Sequence, residues 1–282
     1  MNYVDVFFRS EDNLRLYARD YPGPEADSPT ILCLPGLTRN SKDFAELADE
    51  LRENYRVVCP DQRGRGRSER DPDATHYHPQ QYVADMYMLL DVLGISRAIV
   101  IGTSLGGLMA IVMMTTDAKR IRAAVLNDVG PEVDPRGIER IASYVGKTAP
   151  VADWQTAAEQ TAHINGIAFP DYEAHDWKAM AQRLYVQEGT TPVLDYDPAI
   201  AQGVNSGTAA PILWPLFDAV GAMPILVIRG ETSDILSADT LAEMTRRTPH
   251  IMVQVVPKRG HAPTLSEPTA RIAIRKFLAA IK

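Results

Sequence analysis

Ala98-Ile99-Val100-Ile101-Gly102-Thr103-Ser104-Leu105-Gly106-Gly107 is the stretch from which the rest of the chain is read. Four apolar residues in a row, with no polar alternation, describe a strand buried on both faces. Beyond Gly107 the apolar residues recur at Leu108, Met109, Val112 and Met113, which is helical spacing. A serine therefore stands on a tight strand-to-helix turn. Gly102 and Gly106 bracket it, where a Cβ would crowd the backbone. Such a turn lifts the Ser104 hydroxyl beyond the sheet edge and aims the first free N–H groups of the helix at the same point.

The flanking sequence alternates strands and helices. Val4–Phe8 and Leu14–Arg19, joined by Arg9-Ser10-Glu11-Asp12-Asn13, describe a hairpin whose second strand alternates like an exposed sheet edge. Residues 30–34 (Thr-Ile-Leu-Cys-Leu) and 56–60 (Arg-Val-Val-Cys-Pro) are central strands, with a helix from Ser41 between them. Gln80–Leu93 carries a helical stripe that ends at Gly94. Ala123–Asn127 is a sixth strand. Strands resume at Pro224–Ile228 and Ile251–Val256, and a last helix runs from Pro268 to Ile281. Between Pro131 and about Pro215 the strand signals stop, and helical stretches are expected around Ile138–Val145, Trp154–Ile164 and Tyr172–Val186.

The Gly-x-Ser-x-Gly turn inside this alternation resembles the nucleophile elbow of the α/β-hydrolase superfamily, specifically its small members with a helical cap. The resemblance implies an α/β fold: a mostly parallel eight-stranded sheet with helices on both faces and an inserted helical cap. Residues 1–130 and 216–282 would form the core, and 131–215 the cap over the active site. The family order is Ser, then acid, then His, and Ser104, Asp234 and His261 follow it, the last two just beyond the strands that resume after the insert. Asp128, after the sixth strand, is the rival acid, since some family members place it there. Asp234 is preferred because Gly230-x-x-Ser233-Asp234 matches the commoner motif. Predicted oxyanion donors are the N–H groups of Leu105, after the nucleophile, and Leu37, in the Pro35-Gly36-Leu37 loop where the family usually has His-Gly-x. Asp61-Gln62-Arg63-Gly64-Arg65-Gly66-Arg67-Ser68 is similar to a family loop, and its arginines are expected to be solvated.

A serine at the elbow directs the chemistry to an acyl carbon. The family's epoxide hydrolases and haloalkane dehalogenases use an aspartate there instead. Hydrolysis of a carboxylic ester or lactone through an acyl-serine comes first. Carbon–carbon bond hydrolysis of a ring-fission diketone is the alternative, and a non-catalytic small-molecule receptor on the same fold is another. Gly102-x-Ser104-x-x-Gly107 lacks the middle glycine of a dinucleotide fingerprint, and no cofactor is expected. Trp154, Trp177 and Trp214 are candidate pocket residues in the insert.

Composition sets outer limits. The chain has 282 residues, 45% hydrophobic and 23% charged, with a net charge of -7, which opposes a nucleic-acid role. Cys33 and Cys59 read as buried thiols. His76-Tyr77-His78 lacks partners at ligand spacing, so surface residues rather than a metal site are expected. The N-terminus lacks signal-peptide character and no apolar run approaches a membrane span, which points to the cytoplasm. The serine at the elbow is what points to a small-molecule acyl substrate. The oligomeric state is not legible.

Overall fold

In the computed structural model, residues 2–205 and 212–281 are described, with the side chains of 204 and 205 excepted. The run Thr30–Leu34 is buried at every position, and Ile99, Val100 and Ile101 are likewise closed to solvent. Residues apolar on both faces form strands only where helices cover both sides of the sheet, and the architecture follows from that. In chain order the elements are β1 (Val4–Arg9), β2 (Arg15–Tyr21), β3 (Thr30–Leu34), α1 (Ala45–Leu51), β4 (Arg56–Asp61), α2 (Pro79–Val92), β5 (Ala98–Thr103), α3 (Leu105–Thr116) and β6 (Ile121–Asn127). The inserted segment contributes α4 (Pro135–Tyr144), α5 (Trp154–Asn165), α6 (Ala174–Leu184), β7 (Tyr185–Glu188), β8 (Thr191–Leu194) and α7 (Gln202–Asn205). The core resumes with α8 (Trp214–Ala219), β9 (Ile225–Gly230), α9 (Ala238–Arg247), β10 (Met252–Val256) and α10 (Pro268–Ala280).

The eight-stranded sheet has the order β1-β2-β4-β3-β5-β6-β9-β10. β1 and β2 pair antiparallel, β2 joins β4 antiparallel, and every other pairing is parallel. Side chains on one face pack against α1, the turn that precedes it and α10: Ile31, Cys33, Val57 and Ile101 share a cluster with Phe44, Leu47, Ile274 and Phe277. The opposite face packs Leu32, Leu34, Val100 and Leu126 against residues of α2, α3, α8 and α9, among them Met86, Met113, Phe217 and Met244. Parallel registry brings Leu34 level with Gly102, Thr103 with Asn127, and Asn127 with Ile228. The C-terminal ends of β3, β5, β6 and β9 thus share one edge, which is where open α/β sheets carry their sites.

Four expectations change. β2 is not an edge strand, because β1 covers its outer side, and Tyr17 is fully buried where the alternation predicted exposure. The insert is not purely helical, since β7 and β8 form an antiparallel hairpin. Arg63 and Arg65 are buried rather than solvated. Arg63 pairs with Asp85 (2.7 Å), Asp71 (2.5 Å) and Asp12 (2.8 Å), a closed charge cluster. Asp12, Asp71 and His76 bring ligand atoms within 4.8 Å of one another, and the cation held by both carboxylates is the Arg63 guanidinium. Tyr77, read as a surface residue, is buried and donates to Asp197 at 2.8 Å. Cys33 and Cys59 are free, buried thiols, and burial pushes the Cys59 thiol up.

Candidate active site

β5 ends at Thr103 and α3 begins at Leu105, so the whole reversal falls on Ser104, with φ +53° and ψ −119°. A non-glycine residue at positive φ costs about 1–3 kcal/mol and persists only where its surroundings over-determine it. Here backbone crowding does so. A Cβ on Gly102 would lie 2.3 Å from the Gly106 carbonyl oxygen, and one on Gly106 would lie 2.1 Å from that of Leu34. The two glycines of the pentapeptide are therefore needed for close backbone approach. The Ser104 N–H donates to the Asn127 carbonyl (3.0 Å), tying the turn to the end of β6.

The Ser104 hydroxyl lies 2.8 Å from Nε2 of His261. Nδ1 of the same ring lies 2.7 Å from Oδ2 of Asp128. Asp128 follows β6 directly, is fully buried and has φ +57°. Its Oδ1 accepts the Gly230 N–H (2.7 Å) and its Oδ2 also accepts the Ser233 hydroxyl (2.6 Å), so the carboxylate is fixed on both oxygens. The loop bearing His261 is held from below: Asn127 Nδ2 donates to the Pro263 carbonyl (2.8 Å) and to Thr103 Oγ1 (3.0 Å).

The structure therefore joins Ser104 and His261, as the sequence predicted, but seats the rival acid against the ring. Asp234 points instead to the insert and takes Arg140 of α4 at 2.8 Å. Burial alone would raise the Asp234 carboxyl, but the Arg140 guanidinium outweighs it and holds the group below the usual carboxylate range. The residue that makes the difference is Ser233. Its hydroxyl occupies the Asp128 carboxylate, and its neighbour turns outward.

Leu37 and Leu105 flank the serine. Neither N–H has an acceptor among the described residues, and Leu37 faces the cavity above Ser104. Sequence reading missed what holds the Leu37 peptide. Buried Arg65 donates from Nε to the Leu37 carbonyl (2.8 Å) and from Nη1 to the Arg63 carbonyl (2.7 Å) and the Tyr82 hydroxyl (3.1 Å). An arginine inside a glycine-rich loop was the available signal, read there as solvated charge.

A cavity of about 100 Å³ opens over Ser104 and His261. The core contributes Leu37, Arg39 and Asp43, and the insert contributes Tyr144, Phe169 and Arg183. The three tryptophans do not line it. Trp154 donates to Gln187 (2.7 Å), and Trp177 meets Phe169 edge-on within a separate cluster of the insert. Trp214 donates to Glu132 (2.9 Å) and stacks under Arg247. They fill packing positions between elements, where their large apolar faces are most stabilising.

No helix among the described residues is long and apolar enough to cross a membrane. The family model for the alpha/beta hydrolase fold matches residues 29–268. A 3-hydroxybutyrate-oligomer hydrolase of Cupriavidus necator is 39% identical over 266 residues, covering 89% of this chain and 88% of that protein. A 2-(acetamidomethylene)succinate hydrolase of Mesorhizobium japonicum is 28% identical, covering 84% and 83%. The crystal structure of an alpha/beta hydrolase from Novosphingobium aromaticivorans superposes with a TM-score of 0.93 at 45% identity, covering 99% of this chain and 98% of that one. With the sheet order, the elbow at Ser104 and these matches in agreement, the chain belongs to the α/β-hydrolase family.

Proposed function

We propose that this hydrolase cleaves carboxylic esters of short hydroxy acids through an acyl-enzyme formed on Ser104, with His261 as the base and Asp128 as its orienting acid. The observation that carries the reading is the continuous relay from Ser104 Oγ to His261 Nε2 (2.8 Å) and from His261 Nδ1 to Asp128 Oδ2 (2.7 Å). A serine hydroxyl is a weak nucleophile at neutral pH and needs a base held in one tautomer. The Asp128 carboxylate accepts a hydrogen bond from Nδ1–H, which leaves the Nε2 lone pair facing the hydroxyl.

The steps follow from the geometry. Ser104 Oγ attacks the ester carbon as its proton passes to His261. Asp128 stabilises the imidazolium so formed. The free N–H groups of Leu105 and Leu37 take the oxyanion, a contribution of about 3 kcal/mol per donor in comparable sites. His261 returns the proton to the departing alkoxide. Water, deprotonated by the same ring, then releases the acid from Ser104. The inserted segment acts as a cap that supplies the far wall of the cavity.

The relative from Cupriavidus necator, whose name gives 3-hydroxybutyrate oligomers as what it hydrolyses, supports the choice of ester. Such oligomers are hydroxy acids joined by ester bonds, with a free hydroxyl at one end and a carboxylate at the other. The test is hydrolysis of the linear 3-hydroxybutyrate dimer, followed by release of monomer. The dimer is expected to be cleaved by the wild-type chain, with a loss of at least about 10³-fold in kcat for Ser104→Ala. Cleavage unaffected by that substitution contradicts the reading.

A further inference from the structure

Among the described residues, five with ionisable side chains line the cavity: Tyr144, His261, Arg39, Asp43 and Arg183. Arg39 and Asp43 pair with each other, Nη2 of the arginine donating to Oδ1 at 2.9 Å, and Nε bonding the other oxygen. Their charges cancel in the wall. Arg183, near the end of α6, has its partner Glu46 outside the cavity, 3.0 Å from one Nη and with a side chain 57% exposed. Glu46 is also shared with Arg271. The cavity thus carries one cation more than it has anions. Nε and Nη1 of Arg183 and Nη1 of Arg39 donate to no protein acceptor among the described residues. Arg39 and Arg183 line the same cavity, one from the core and one from the insert. Arg39 also lies close to the nucleophile: a methyl on Gly36 would stand 3.6 Å from Arg39 Cγ and 3.6 Å from Ser104 Cβ.

We infer that Arg183, assisted by Arg39, seats a free carboxylate of the substrate, so that the cavity selects esters that end in an acid over neutral esters. The inference rests on the esterase reading above and names what it leaves open, the residues that recognise the substrate. A guanidinium presents parallel N–H donors that fit both oxygens of a carboxylate. Neither arginine belongs to the Ser104–His261–Asp128 relay, so their effect falls on binding. For a hydroxy-acid dimer the carboxylate belongs to the leaving half, which places the ester carbonyl between the seat and Ser104. Asp43 serves the same selection, because its oxygens are occupied by Arg39 and it holds that side chain in the wall.

The experiment separates binding from turnover. In the Ser104→Ala protein, calorimetric titration compares the 3-hydroxybutyrate dimer as free acid with the same dimer capped as its terminal primary amide. The acid is expected to bind at least tenfold more tightly. Arg183→Gln in the same background is expected to reduce that preference to below threefold, and Arg39→Gln to reduce it as well. Arg183→Lys, which keeps the charge without the fork, is expected to give an intermediate ratio and guards against a folding defect. Equal binding of acid and amide to the parent protein overturns the inference, as does a preference that survives both glutamine substitutions. Wild-type hydrolysis of the amide dimer that needs Ser104, without any acid preference, leaves the esterase reading standing alone. Acid-selective binding without hydrolysis of either dimer contradicts the esterase reading and keeps the carboxylate seat.

Discussion

At the scale of single residues, two aspartates compete for one imidazole. Asp128 and Asp234 stand beyond the ends of β6 and β9, which are adjacent and parallel. The difference between them is hydrogen-bond supply. Asp128 receives Gly230 N–H, the Ser233 hydroxyl and the His261 ring, whereas Asp234 receives Arg140. Asp128→Asn presents an amide in place of the acceptor that fixes the tautomer of His261, and kcat is expected to fall about 10⁴-fold, as it does where a triad acid is amidated. Asp234→Asn is expected to change kcat less than tenfold. Steady-state kinetics on the same ester for the two variants checks both numbers. Chain order admits either residue, and Asp234 is the acid expected from sequence because Gly230-x-x-Ser233-Asp234 matches the commoner family motif. What separates them is the set of partners around each carboxylate, brought from distant positions by the fold and not shown by chain order.

Among elements, the β5–Ser104–α3 turn is the least tolerant. Gly106→Ala sets a methyl 2.1 Å from the Leu34 carbonyl oxygen, a backbone atom with no freedom to move because β3 is central and buried on both faces. The substitution is expected to cost about 3 kcal/mol or more in stability, the range for overpacking a closed site, together with activity. Urea unfolding beside wild type measures it. The turn was legible because all its determinants lie in one continuous stretch, Ala98 to Met113: an unbroken apolar run, small residues at fixed spacing, then helical periodicity. The hairpin of β7 and β8 was not, because its strands have four residues each and Pro192 interrupts the second. The buried arginines were misread for a similar reason. Charge in a glycine-rich loop is usually solvated, and the carboxylates that neutralise Arg63 come from positions 12, 71 and 85, too far apart in sequence to announce themselves.

For the whole molecule, the insert is joined to the core by polar links. Gly66 N–H donates to the Asp195 carbonyl (2.9 Å), Lys42 pairs with Asp195 (2.8 Å), and Arg140 of α4 pairs with Asp234. The last link predicts a pH effect whose sign is fixed. The folded Asp234 carboxyl titrates below its unfolded range, so the pair stabilises above a pH of about 4 and its contribution fades as the pH falls through the folded value. Both side chains are roughly a quarter exposed, and the contribution is about 1 kcal/mol. Arg140→Gln is expected to lower stability by that amount at pH 7, with the gap between the two unfolding curves closing as the pH falls below about 4. A gap that widens in acid contradicts the assignment.

The most direct test of the relay is covalent labelling of Ser104 by a fluorophosphonate, followed by mass spectrometry of the modified peptide. Wild-type protein is expected to take one label, on Ser104, at a rate that falls at least about 10³-fold in His261→Ala and in Asp128→Asn and stays within tenfold in Asp234→Asn. A label on another residue, or a rate that collapses with Asp234 while Asp128→Asn reacts like wild type, would contradict the Ser104–His261–Asp128 arrangement.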